Sequence, residues 1–328
     1  MPCGINFSFE TALFGYWRLD IGTVCKQLVG KMKYIQDGKR IFQALLVVAL
    51  ALGALLLWLG QNPTVPDILH TNPKLAPVIP DLGPDVMRSV TEIYRRGAAR
   101  GMRPDVFAKM GDSITAYRPF LFPIGDGKYD VGRHWRLLPV IDRFSIRKLG
   151  GGKNSFNRDS YAGVRAWGAE HALEVGLSPC PGITPVECEI KTIKPTFALV
   201  MFGTNNVDRN YDEFVVDIEK IILILIREGV VPILSTIPDA PWTKKAAAEA
   251  HMANHVILEI AARHKIPALN YWKALQDLPN RGISYDGVHP SVAPEGSGVF
   301  TEKALRYGHN MRSFTFLQTL AKLTGALD

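Results

Sequence analysis

Apolar positions divide the chain into stretches of different period. Ile41 to Leu59 has no charge and one interior polar side chain, Gln43. As a helix it would be about 28 Å long at 1.5 Å per residue, close to the roughly 30 Å of a bilayer's hydrocarbon core. Residues 61–84 lose the pattern, and Pro63, Pro66, Pro73, Pro77, Pro80 and Pro84 predict an extended tether there. From Pro84 to Gly101, Val86, Met87, Val90, Ile93 and Tyr94 recur at helical spacing. Val106 to Met110 is a short apolar run that stops at Gly111, as a buried strand entering a turn would. Phe197–Phe202, Val230–Ile237 and Ile266–Asn270 are further strand-length runs, separated by helical patterns over Tyr211–Glu228 and Lys244–His264. This alternation calls for a parallel sheet with helices on both faces and right-handed crossovers.

Charge changes the picture mainly at the N-terminus. The chain has 328 residues, 47% of them apolar and 21% charged, with a net charge of +7. Residues 1–40 hold six basic residues against three acidic ones, and no dense basic stripe follows, so the surplus is not the footprint of a nucleic-acid binder. Lys31, Lys33, Lys39 and Arg40 lie just before the apolar run, Lys74 alone is basic between 60 and 80, and Trp58 sits at the far end. By the positive-inside rule residues 1–40 are a cytoplasmic tail, 41–60 an uncleaved single-pass membrane anchor and 61–84 a linker. The folded domain, 85–328, then lies outside. A cleaved signal peptide fits less well, because the run exceeds an h-region and the small-residue site Ala49-Leu50-Ala51 falls inside it. Met32 is an alternative start. Cys3 and Cys25 fall on the reducing side of this anchor, Cys180 and Cys188 on the oxidising side, where a disulfide between the latter two is expected.

Three short blocks carry chemistry. Gly111-Asp112-Ser113 follows a strand and presents a hydroxyl in a turn; Gly203-Thr204-Asn205 ends another strand in a side-chain amide; Asp286-Gly287-Val288-His289 sets a carboxylate and an imidazole three residues apart. A serine becomes a nucleophile when a base takes its proton and a third group orients that base. Each block alone is an ordinary turn or helix cap; the ordered set carries the signal.

In this order the blocks resemble the SGNH, or GDSL, hydrolase family over about residues 105–295. The resemblance implies Ser113 as nucleophile, His289 as base and Asp286 as its partner, with an oxyanion hole from the Ser113 N–H and the Asn205 amide. The family's turn glycine has Gly163 as its nearest counterpart, one place later than the pattern expects. The implied fold class is α/β, a three-layer α/β/α sandwich with a mostly parallel, flavodoxin-like sheet, here joined to an N-terminal transmembrane helix. The implied activity is extracytoplasmic hydrolysis of carboxylic esters, short acyl groups on carbohydrate above all, through an acyl-enzyme. No cofactor or metal is expected. An O-acyltransferase on surface glycans and a catalytically weak glycan-binding module are the alternatives.

Other candidates carry less. His251 and His255 share a helix face, but Met252 stands where a zinc-protease glutamate would be. Ser145-Ile146-Arg147-Lys148 lacks companion motifs, and Gly150-Gly151-Gly152-Lys153 lacks phosphate-loop spacing. The aromatic-rich segment 117–147 is expected to be a hydrophobic cluster over the sheet, with pocket lining as the alternative.

Overall fold

In the computed structural model of the chain, residues 45–49 and 70–328 are described. The chain divides into two units, 1–64 and 65–328. In the first, residues 45–49 are helical with exposed side chains. The rest of the anchor expected over 41–60, the tail 1–40 and linker residues 61–69 lie outside the described residues. Among the described residues no helix is long and apolar enough to cross a membrane.

The second unit runs α1 (Pro84–Ala99), β1 (Arg103–Gly111), α2 (Ser113–Ala116), α3 (Phe122–Gly125), α4 (Leu138–Ile146), α5 (Pro185–Ile193), β2 (Pro195–Met201), α6 (Tyr211–Glu228), β3 (Val231–Ser235), α7 (Lys244–His264), β4 (Ala268–Leu269), α8 (Tyr271–Leu275) and α9 (Gly308–Leu327), with short 3-10 turns between. The four strands are parallel in the order β1-β2-β3-β4, with Phe107 beside Phe197, Phe197 beside Val231 and Ser235 beside Leu269. Every residue of β2 and β3 is buried, as expected when helices cover both faces of a parallel sheet. Helices α1, α5, α6 and α7 pack among themselves, and α4 and α8 pack on α9. Phe107 of β1 meets Phe144 of α4, Phe156 and Phe316 of α9 edge to face at 5.0–5.3 Å.

The sheet departs from the expected flavodoxin-like order in one respect. That order has a strand on the far side of β1. Here the position holds only a one-residue parallel bridge, Gly111 to Gly163, in which the Gly111 N–H donates to the Ala162 carbonyl and the Val164 N–H to the Gly111 carbonyl. The flanking chain has no continuous apolar run, so pairing does not extend.

The proline-rich stretch also departs from a free tether. Asn270 donates from its side chain to the Pro73 carbonyl (2.8 Å), Lys273 to Ala76 (2.9 Å) and Lys322 to Pro80 (2.7 Å), so residues 72–80 are tied to the domain. Pro73, Pro77 and Pro80 have no N–H, but the carbonyls of such a segment remain free to accept. In 117–147, Phe120, Phe122 and Phe144 are buried in the core, as a hydrophobic cluster would be, whereas Trp135 is exposed.

Candidate active site

Sterics fix the nucleophile turn. A Cβ on Gly111 would lie 2.3 Å from the Thr115 hydroxyl and 2.4 Å from the Met201 carbonyl, so only glycine lets β1 end against its neighbour. Asp112 then caps α2, its Oδ1 accepting the Ile114 N–H at 2.9 Å. Ser113 opens the helix, where its N–H has no intrahelical acceptor. Asp112 is buried, and among the described residues its Oδ2 meets no donor in hydrogen-bond geometry, the Thr204 hydroxyl being its polar neighbour. Burial pushes this carboxyl up to about 6, against the pull of the Ile114 N–H and the Arg312 charge.

The Ser284–His289 loop is held from within. The Ser284 N–H donates to the His289 carbonyl (2.8 Å), and Gly287 takes φ +75° at the turn. Asp286 Oδ1 accepts the Ser284 hydroxyl (2.7 Å) and the Val288 and His289 N–H groups (2.9 Å each). Its Oδ2 lies 2.7 Å from His289 Nδ1, and His289 Nε2 lies 2.9 Å from Ser113 Oγ. Partial burial pushes the Asp286 carboxyl up, but the donors from Val288, Ser284 and His289 outweigh it and hold the group well below the usual carboxylate range. An ionised carboxylate, an oriented imidazole and a hydroxyl thus stand in hydrogen-bonded series, 176 positions separating the last two.

Ser113, Asp286, His289 and Asn205 line one cavity of about 850 Å³ together with Tyr117, Arg165, Ala166, Ser284, Tyr285 and Ser291. Asn205 Nδ2 donates to the Trp167 carbonyl at 3.0 Å, leaving its second amide hydrogen without a partner among the described residues. Gly163 is not in the lining; it is buried beside Lys109 at the bridge to β1. The cavity is bounded there by Arg165 and Ala166, and Ala166 has the left-handed φ of +63° that glycine would ordinarily supply.

Beneath Ser113 lies a polar group that motif reasoning does not find. Arg312 of α9 is fully buried and donates to the Ile114 carbonyl (2.6 Å) and the Thr115 hydroxyl (2.8 Å), gripping the nucleophile helix, while its guanidinium lies over the Phe120 ring. Burial lowers its pKa to about 10, leaving it charged at neutral pH. One turn earlier the Gly308 N–H donates to the Ser291 hydroxyl, the His309 N–H to the Ser291 carbonyl, and Asn310 to the carbonyls of Gly296 and Val299. The same helix therefore steadies both the serine and the chain that follows His289. The one sequence signal was Gly308-His309-Asn310-Met311-Arg312-Ser313, polar residues heading an apolar helix.

Cys180 and Cys188 form the expected disulfide, across the turn that enters α5. His251 and His255 lie edge to face on α7. Among the described residues no group of three or more His, Cys, Asp or Glu side chains is placed to hold a metal ion.

A model of the GDSL-like lipase/acylhydrolase family matches residues 110–293. Among solved structures, a GDSL-like lipase from Bacteroides thetaiotaomicron is 15% identical over 71% of this chain and 98% of its own, with a TM-score of 0.43. A lipase/acylhydrolase from Enterococcus faecalis is 17% identical over 66% and 95%, with a TM-score of 0.42. An acetylxylan esterase from Geobacillus stearothermophilus is 16% identical over 67% and 95%, with a TM-score of 0.41. No curated protein matches the sequence.

Proposed function

The chain belongs to the GDSL-like lipase/acylhydrolase family and is an ester-bond hydrolase; we propose that it cleaves carboxylic esters through an acyl-enzyme on Ser113. The observation that carries this is the unbroken series Ser113 Oγ, His289 Nε2, His289 Nδ1, Asp286 Oδ2, at 2.9 and 2.7 Å. Ser113 Oγ attacks the ester carbonyl while His289 Nε2 takes its proton, and the imidazolium hands that proton to the departing alcohol. Water, deprotonated by the same nitrogen, then releases the acid. Asp286 fixes the tautomer that leaves Nε2 free to accept and stabilises the imidazolium.

The oxyanion is received by the Ser113 N–H and the Asn205 amide, whose other hydrogen already binds Trp167. Gly163, paired with Gly111 at the end of β1, is the third candidate donor, although it is not among the residues that line the cavity. The substrate class is short acyl esters on carbohydrate, in keeping with a wide, open cavity lined by Tyr117 and Tyr285. The domain forms a three-layer sandwich outside the cytoplasmic membrane, anchored through residues 41–60 with residues 1–40 inside. The Cys180–Cys188 bridge supports an oxidising location.

Ser113→Ala is expected to abolish ester hydrolysis and labelling by a serine-directed phosphonate, with an unchanged melting temperature. Retained turnover in that variant refutes the assignment. Cell fractionation and protease access to the intact chain test the topology: a domain protected in spheroplasts overturns it.

A further inference from the structure

Taking Ser113, His289 and Asp286 as the site of ester cleavage, we propose that the alcohol part of the substrate is a sugar ring bearing a carboxylate, held by Arg165 and stacked on Tyr285. Arg165 lines the same cavity as the triad, its side chain is exposed, and it makes no ion pair or hydrogen bond among the described residues. Other arginines of the domain are engaged: Arg118 lies 3.6 Å from Asp159, Arg158 pairs with buried Glu189, and Arg281 lies 2.9 Å from Asp239. A guanidinium carries five donors in a planar fork that matches a carboxylate in bidentate geometry.

The backbone fixes where that fork starts. Val164 is hydrogen-bonded to Gly111, two residues before the nucleophile, and the Trp167 carbonyl accepts from Asn205 at 3.0 Å. Between these ties the Trp167 N–H closes a turn on the Val164 carbonyl, with Ala166 at φ +63°. A non-glycine residue held in that region is strained, and such strain persists where the surroundings over-determine it, as at ligand clamps. The turn thus presents Arg165 from a frame shared with the nucleophile and Asn205.

The cavity's one carboxylate does not compete for Arg165. Asp286 spends both oxygens on Ser284, Val288 and His289, so an incoming anion meets a cation with free donors. Tyr285 precedes Asp286, is fully exposed and makes no hydrogen bond or ring contact among the described residues, leaving a bare aromatic face at the rim. Such a face suits the apolar side of a pyranose. Arg165 then selects the charge and Tyr285 the ring.

The test compares kcat/KM of the full chain on an O-acetylated methyl galacturonoside, its O-acetylated methyl galactoside counterpart and a simple aryl acetate. The charged sugar ester is expected to exceed the neutral one by about tenfold or more, the range of a charge-assisted hydrogen bond. Added salt erodes that ratio. Arg165→Ala brings it near one, Arg165→Lys leaves part of it and Arg165→Glu inverts it. Tyr285→Ala lowers both sugar esters relative to the aryl acetate. A wild-type ratio of one, a ratio unchanged in Arg165→Ala, or turnover of the aryl acetate with neither sugar ester cleaved overturns the proposal while leaving the esterase reading intact. Hydrolysis that persists in Ser113→Ala defeats the esterase reading instead.

Discussion

Asp112, which precedes Ser113, and Asp286, joined to it through His289, make the same local motif, a carboxylate accepting the N–H two residues on, yet their acidities move in opposite directions. Asp112 is sealed in the core with one oxygen meeting no donor in hydrogen-bond geometry among the described residues, and desolvation prevails. Asp286 is partly exposed and accepts four hydrogen bonds on two oxygens, and hydrogen bonding prevails. One aspartate shapes the turn that presents Ser113; the other stays ionised beside the His289 imidazole. Residue type and spacing do not separate these roles, whereas burial and donor count do.

The largest effect that could break this contrast is on turnover. Asp286→Asn is expected to lower kcat by about 10⁴-fold, as loss of the orienting carboxylate does in serine triads, without loss of fold. Asp112→Asn keeps a capping oxygen and is expected to stay within about tenfold of wild type. Equal losses in steady-state assays of the two variants would erase the distinction.

Next comes the support beneath the serine. Arg312→Met removes two donors and the charge facing Asp112, and is expected to cost about 2–4 kcal/mol in chemical denaturation and to lower kcat more than it changes KM. Full stability and kcat in that variant would show that α2 holds Ser113 unaided.

Removing the disulfide far from both aspartates is a control on scale. Cys180→Ala with Cys188→Ala is expected to cost at most about 2.6 kcal/mol, the chain-entropy value for so short a loop, and to leave kcat/KM unchanged.

The smallest effects are in the pH dependence of stability. Asp112 has a folded pKa of about 6 against an ordinary 3.8, so the folded state holds more protons than the unfolded state between those values. Its contribution to stability falls as pH rises through that window, and Asp112→Asn should flatten the slope by about 1 kcal/mol per pH unit. Lys109 supplies the opposite sign. Burial lowers it from 10.5 to about 7, so the unfolded state holds more protons and stability rises with pH between those values. Denaturant titrations from pH 4 to 10 of wild type against Asp112→Asn and Lys109→Met isolate each slope, and a difference curve flat across either window would contradict the corresponding burial.

Local pattern was enough for the long elements. The helical periods over Tyr211–Glu228 and Lys244–His264 end where α6 and α7 end, because Gly229 and Lys265 take left-handed caps directly after them. The strand expected over Ile266–Asn270 shrinks to Ala268–Leu269, since β3 offers only two partners there. Segment 72–80 looked like tether because its attachments come from Asn270, Lys273 and Lys322, some two hundred positions away. Gly163 drew attention as a glycine, but the unusual backbone beside the cavity belongs to Ala166, whose side chain gives no hint of a left-handed φ.

By itself the sequence determined the alternation of strands and helices and the three blocks that bear hydroxyl, amide and imidazole, because periodicity and turn chemistry act within a few residues. Tertiary structure alone decided that these blocks share one cavity, that Arg312 underlies the serine, that Arg165 lines that cavity with no ion pair among the described residues, and that two aspartates differ in acidity. Each of those depends on contacts between segments distant in sequence and on the water they exclude, which no local pattern encodes.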